Sequence, residues 1–160
     1  MLYPFGPYYI SRAVEVFYST KLTLAVVNLR PVAHHHVLVF PRRPVARFAD
    51  LVEAEVADLW LSAQRIGSRI EAHGRKRGVS GLQFVIQDGV GSGQTVPHVH
   101  VHIVPRTPGD FTPNDAIYGA LEKRGFHADE TERPDRSRDE MREERDELAA
   151  LFPEAEYQVP

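Results

Sequence analysis

Apolar and polar positions along this chain change period several times, and each change marks an element. Leu22 to Asn28 and His36 to Phe40 are rich in Val, Leu and Phe, with Arg30 and Pro31 breaking the chain between them. They are expected to pair as adjacent antiparallel strands. Val14 to Tyr18 and Leu82 to Gln87 read as further strands. From Phe48 the period becomes helical: Phe48, Leu51, Val52, Val56, Leu59, Trp60, Ala63, Ile66 and Ile70 fall at spacings of three and four along one face. Asp50 with Glu53 offers a capping-box start to this helix, and Gly74 its stop. Val99, Val101, Ile103 and Val104 then favour one more strand.

The intervening segments are turns. Arg75, Lys76, Arg77 and Gly78 read as a solvated basic loop, and Gly89, Gly91 and Gly93 make QDGVGSGQ a flexible or tight turn. That glycine loop leads into a β-branched strand, whereas a P-loop or dinucleotide fingerprint opens a helix, so neither nucleotide fold is indicated. Asn114 and Asp115 are placed to start a short helix through Leu121, and Ser137 with Glu140 to cap another running to Phe152. Phe126 to Arg136 reads as loose, and the residues after Pro153 as frayed.

Composition narrows the classes. One domain is expected from 160 residues of which 42% are hydrophobic, and no apolar run approaches the ~18 residues of a membrane span. Cysteine is absent, which removes disulfides and thiolate chemistry and fits a cytoplasmic protein. Charge divides unevenly: residues 1–125 carry 14 Lys and Arg against 10 Asp and Glu, residues 126–160 carry 5 against 12. A mildly basic body with an acidic helical extension suits a small anionic ligand. No aromatic-interleaved basic patch supports nucleic acid.

The chemistry concentrates in His98, His100 and His102. A strand sets alternate residues on one face at steps of about 6.6 Å, so these three line up while Val99, Val101 and Ile103 face the core. Three imidazoles buried without a task would leave several nitrogens unsatisfied. Spacing leaves two functions open: a zinc site, or phosphoryl transfer in which one imidazole attacks phosphorus and its neighbours bind oxygens carrying developing charge.

The flanking residues break the tie. GQTVPHVHVHIVPR resembles the signature of the histidine triad family of nucleotide hydrolases and transferases. FG near the N-terminus, AVVNLRPV, HVLVFPRRPVARFADL, EVADL, QDG and PRTPGDFTPNDAIY extend the likeness to the fragile histidine triad branch of dinucleoside polyphosphate hydrolases. The resemblance implies an α+β fold, with about five antiparallel strands, one long helix packed on them and a C-terminal helical extension. Residues 1–125 would form the catalytic domain and 126–160 the extension.

For function, the resemblance implies hydrolysis of diadenosine triphosphate, or a related dinucleoside polyphosphate, to AMP and ADP through a nucleotidyl-histidine on His100. The Nδ1 proton of His100 would go to the His98 carbonyl, and His98 would face the leaving group. His102 and Gln94 would hold phosphate oxygens, and His36 would pack behind the triad. Asn28 would hold a ribose hydroxyl, Phe5, Ile10 and Leu38 would wall the base, and Gln87 would lie near the same nucleotide. Mg²⁺ would arrive with the polyphosphate, with no metal held by the protein and no tightly bound cofactor, and two copies would pair through sheet and helix. Rival readings are a nucleoside phosphoramidate hydrolase, an adenylyl-sulfate hydrolase, or a signalling module whose slowly turned-over nucleotide complex is read through the acidic tail.

Six other residues lie near this pattern or beyond it. His34 and His35 are expected at the surface, but a glycine commonly precedes the family's counterpart of His36, so the turn at His35 should be altered and could bring His35 to the phosphate site. Arg106 and Tyr118 would either anchor the C-terminal portion or touch polyphosphate. His73 and His127, standing alone in sequence, are expected to be exposed.

Overall fold

A computed structural model of the chain describes residues 1–122 and 134–153. The expected strands form at β3 (Val16–Ser19), β4 (Thr23–Val27), β5 (Val37–Pro41), β6 (Gly81–Val85) and β7 (Val101–Arg106), after a hairpin of β1 (Leu2–Phe5) and β2 (Tyr8–Ser11). β3 to β7 make one antiparallel sheet in the order β3-β4-β5-β7-β6. The five-stranded sheet and long helix are those the resemblance implied. The hairpin is additional.

Period-two alternation assigns the two faces of the sheet. Ala25, Val27, Val37, Val39, Val101 and Ile103 face one side, where they join Leu59, Ala63, Ile66 and Ile70 of α1 (Glu53–Gly74) and Met141 and Leu148 of α3 (Arg138–Ala149) in the main core. Leu24, Val26 and Phe40 face the other side and pack with Phe5 of the hairpin. Val104, also on that side, is covered by Ile117 and Leu121 of α2 (Ala116–Glu122). The sheet thus lies between a helical layer and a hairpin layer.

Several element ends differ from the sequence reading. Asp50 and Glu53 do not cap the long helix. Phe48–Asp50 form a separate 3-10 turn, Leu51 is extended, and the carboxylate of Glu55 accepts from the Val52 N–H at 3.0 Å. Arg43 enforces this break by gripping both Glu55 oxygens at 2.7 Å and the Asp50 carbonyl at 3.0 Å. Gly74 does end α1, and its missing side chain makes room for Val79, whose Cγ2 would stand 2.6 Å from a Cβ there.

At the other end of the chain, Ser137 and Glu140 form the expected reciprocal cap, but α3 stops at Ala149 and not at Phe152. The loose segment and frayed end expected from sequence fall largely outside the described residues, as does His127. Where that segment becomes described it is pinned: Arg136 donates from Nε to the Asn28 carbonyl at 3.0 Å and pairs with the buried Glu144 at 2.6 Å.

Candidate active site

Because Val99, Val101 and Ile103 are drawn into the helical-side core, His98, His100 and His102 must project to the hairpin side, and all three are buried there. Only His102 lies within a strand. His98 and His100 occupy the bent approach to β7, where His98 donates to the Val96 carbonyl at 2.8 Å and Val99 to the Val45 carbonyl at 2.7 Å, so the expected strand begins later than its first histidine. The hairpin closes over them. The Phe5 ring stands 5.3 Å from both His98 and His100, and Gly6, with φ +57°, is required where a Cβ would lie 2.7 Å from the Val96 side chain.

Hydrogen bonding fixes the tautomers. His100 Nδ1 donates to the His98 carbonyl at 2.7 Å, so the neutral ring carries its lone pair on Nε2. His98 Nε2 donates to the Pro41 carbonyl at 2.8 Å. His36 Nδ1 accepts from the Val32 N–H at 3.1 Å, which leaves its proton on Nε2 to be donated to His102 Nδ1 at 3.0 Å. His102 must then carry its own proton on Nε2. In the neutral rings, His100 offers an electron pair where His102 offers a proton.

The remaining residues named from the sequence divide into groups. Phe5, Ile10 and Leu38 gather in one apolar cluster with Phe40, a wall that sequence reasoning did not include. Asn28 is buried, and its Oδ1 accepts from the Arg30 N–H at 3.1 Å. Gln87 is half-buried and lies past β6, which ends at Val85 and not at Gln87 as expected. Gln94 is oriented at both ends of its amide, accepting from Gly89 N–H at 2.8 Å and donating one N–H to the Ala46 carbonyl at 2.9 Å, with its second N–H left to donate to a ligand.

Arg106 anchors structure. It pairs bidentately with Asp110 at 2.8 Å and also donates to Gln83 and Asn114, while Gln83 donates to the Tyr118 hydroxyl at 2.9 Å. Two further ties went unseen in the sequence: Arg136 on Asn28, and the Arg47–Asp88 pair, in which Arg47 holds the Asp88 carboxyl below the usual carboxylate range.

His35 overturns its expectation. It is buried, not at the surface, and it lies on the helical side, facing Glu147 and Arg77, away from the triad. Its φ of +58° is the left-handed conformation that explains why glycine is usual there. His34 is exposed as expected, whereas His73 is not solitary: its Nε2 meets Glu147 at 2.7 Å.

Burial of His98 against Phe5 and Phe40 depresses its pKa, with the Pro41 hydrogen bond opposing part of the shift. The unfolded chain would protonate this imidazole near pH ~6.5 while the folded one resists, so its stabilising contribution is full above that pH and declines as pH falls through it. His98→Asn retains a donor for Pro41 without the titrating ring. Urea midpoints at about pH 7.5 and about pH 5.5 should therefore fall less in the variant than in the parent, and an equal fall would remove His98 as a source.

Three aligned imidazoles on a sheet backed by a long helix define a histidine triad protein: the HIT domain model matches residues 12–109, and the chain belongs to that family. It is 49% identical over 155 residues to the bifunctional bis(5'-adenosyl)-triphosphatase/adenylylsulfatase of Arabidopsis thaliana, covering 94% of this chain and 84% of the relative. To the bis(5'-adenosyl)-triphosphatase of Dictyostelium discoideum it is 50% identical, covering 94% and 93%. A solved structure of the Plasmodium falciparum diadenosine triphosphate hydrolase with cyclomarin A superposes with a TM-score of 0.75 at 28% identity, covering 97% of this chain and 86% of that one.

Proposed function

We propose that this protein hydrolyses diadenosine triphosphate, or a close dinucleoside polyphosphate, to AMP and ADP. The observation that carries the reading is the His100 Nδ1–H to His98 carbonyl bond, which leaves Nε2 as a buried, unprotonated nucleophile. Nε2 forms a bond to the α-phosphorus as the bridging oxygen departs with ADP. Water then attacks the same phosphorus, its oxygen going to AMP while the P–N bond breaks and the electron pair returns to Nε2. His98 faces the leaving group. His102, with Nε2–H fixed by the His36 relay, donates to a nonbridging oxygen, and Gln94 joins it through its second amide N–H.

Asn28 holds a ribose hydroxyl, Gln87 lies beside the same nucleotide, and Phe5, Ile10 and Leu38 wall the base. The donors around His100 are imidazoles and amides, poor ligands for Mg²⁺, so a divalent ion travels with the polyphosphate and is not held by this chain. An assay across adenine and guanine dinucleotides of differing phosphate number, with both products identified, tests the reaction. AMP is expected from every good substrate, and an adenosine polyphosphate on both sides of the cut would overturn α-phosphorus attack.

Adenylyl sulfate is a second substrate by the same attack, with sulfate as leaving group. The name of the Arabidopsis relative favours including it in the panel.

Two copies pair through β6 and α1. β6 is a sheet edge and exposes Phe84, while α1 exposes Trp60 and Leu61, apolar surface of the kind a subunit interface covers. Light scattering at micromolar concentration should give twice the 18.1 kDa chain mass, and a monomer there would reject the pairing.

A further inference from the structure

Opposite the triad, three elements bring metal-ligating side chains together. The turn before β5 supplies His34 and His35, and α3 supplies Glu147; one ligand atom from each lies within 4.8 Å of the others. The His34 and His35 rings are stacked with centroids 3.8 Å apart. From α1, His73 Nε2 reaches Glu147 Oε1 at 2.7 Å, and His35 Nε2 lies 3.4 Å from that same oxygen. One carboxylate oxygen thus faces two imidazoles and is hydrogen-bonded to that of His73 alone of the two.

His35 is the telling member. It is 1% exposed, its Nε2 makes no hydrogen bond, and that atom points at the cluster. A buried nitrogen without a partner normally costs stability. Here it sits where a cation would satisfy it.

We propose that His34, His35 and Glu147, joined by His73, bind a divalent transition-metal ion of the zinc class. Imidazole nitrogens with one carboxylate are a tetrahedral zinc set and a poor one for calcium or magnesium. The ion enters between Glu147 and the two imidazoles, replacing the hydrogen bond from His73, whose proton passes from Nε2 to Nδ1 so that Nε2 can face the metal. Arg77 opposes entry, 3.7 Å from Glu147 Oε1 and 3.3 Å from His35 Nδ1. It is half-exposed and withdraws to solvent, leaving Nδ1 of His35 free to take up the proton that metal ligation through Nε2 requires. Bound metal would join the turn, α1 and α3 on the helical side of the sheet, without touching the triad.

The test is zinc binding by the full chain, measured by calorimetry and metal stoichiometry, with cobalt absorption reporting tetrahedral geometry. The expected result is one zinc per chain and a raised Tm. Removing even an outer partner of a metal ligand costs 10- to 100-fold in affinity, so His35→Gly and Glu147→Gln should each weaken binding by on the order of 100-fold. His35→Gly places glycine at a φ that suits it, so this variant should fold, which circular dichroism checks. Binding unchanged in the His98→Asn, His102→Asn double variant supports the proposal. No stoichiometric zinc, or zinc that survives the cluster variants and disappears with the triad variant, overturns it.

Discussion

Replacing His100 by asparagine is expected to lower kcat for diadenosine triphosphate by on the order of 10⁴-fold or more, the scale on which removal of a covalent nucleophile acts. Asparagine is well suited to the test because its amide can still donate toward the His98 carbonyl and fit beneath Phe5, while lacking an atom to occupy the place of Nε2. Substrate binding by calorimetry should stay within a few-fold of the parent, separating loss of chemistry from loss of fit. Turnover at the parent rate would show that another group attacks phosphorus. Lost turnover with intact binding also supplies the material to ask whether the nucleotide complex alone acts as a signal.

The second large effect concerns the end of the described chain. Phe152 is fully buried, with ring centroids 5.1 Å from Tyr18 and 6.0 Å from Phe17, the Arg69 guanidinium 5.0 Å above it, and Arg69 also donating to the Leu151 carbonyl at 2.5 Å. Phe152→Ala should cost about 3–5 kcal/mol, a large share of the 5–15 kcal/mol typical of a whole domain. For a chain of this size that lowers Tm by roughly 10 °C. A single calorimetric transition should persist, since α3 shares the core of α1 and the sheet. A loss under about 1 kcal/mol would mean that the extension docks without belonging to the fold.

Legibility from sequence followed periodicity. Val99, Val101 and Ile103 announced which way the triad histidines face, and the stripe from Val56 to Ile70 announced α1, because single-face burial writes itself into spacing. The hairpin carries no such spacing: Pro4, Gly6 and Pro7 interrupt the alternation of a ladder that runs Leu2↔Ser11 to Phe5↔Tyr8 around Gly6.

His35 was misread by composition. Three adjacent histidines suggest a polar surface run, yet the left-handed turn at His35, just before β5, tucks its ring into the helical side of the sheet. Arg136 and Arg43 left no signal, because each acts through contacts distant in sequence or through backbone carbonyls that carry no side-chain identity.

The Arg136 contact also orders events in time. It joins residues 108 positions apart, so the backbone beside the proposed ribose ligand is secured only after most of the polypeptide has been synthesised and the sheet has formed. A nascent chain that has emerged only as far as the triad already holds His98, His100 and His102 but lacks this tether. Competence to bind nucleotide should therefore arise late in folding, well after the imidazoles have been brought into line.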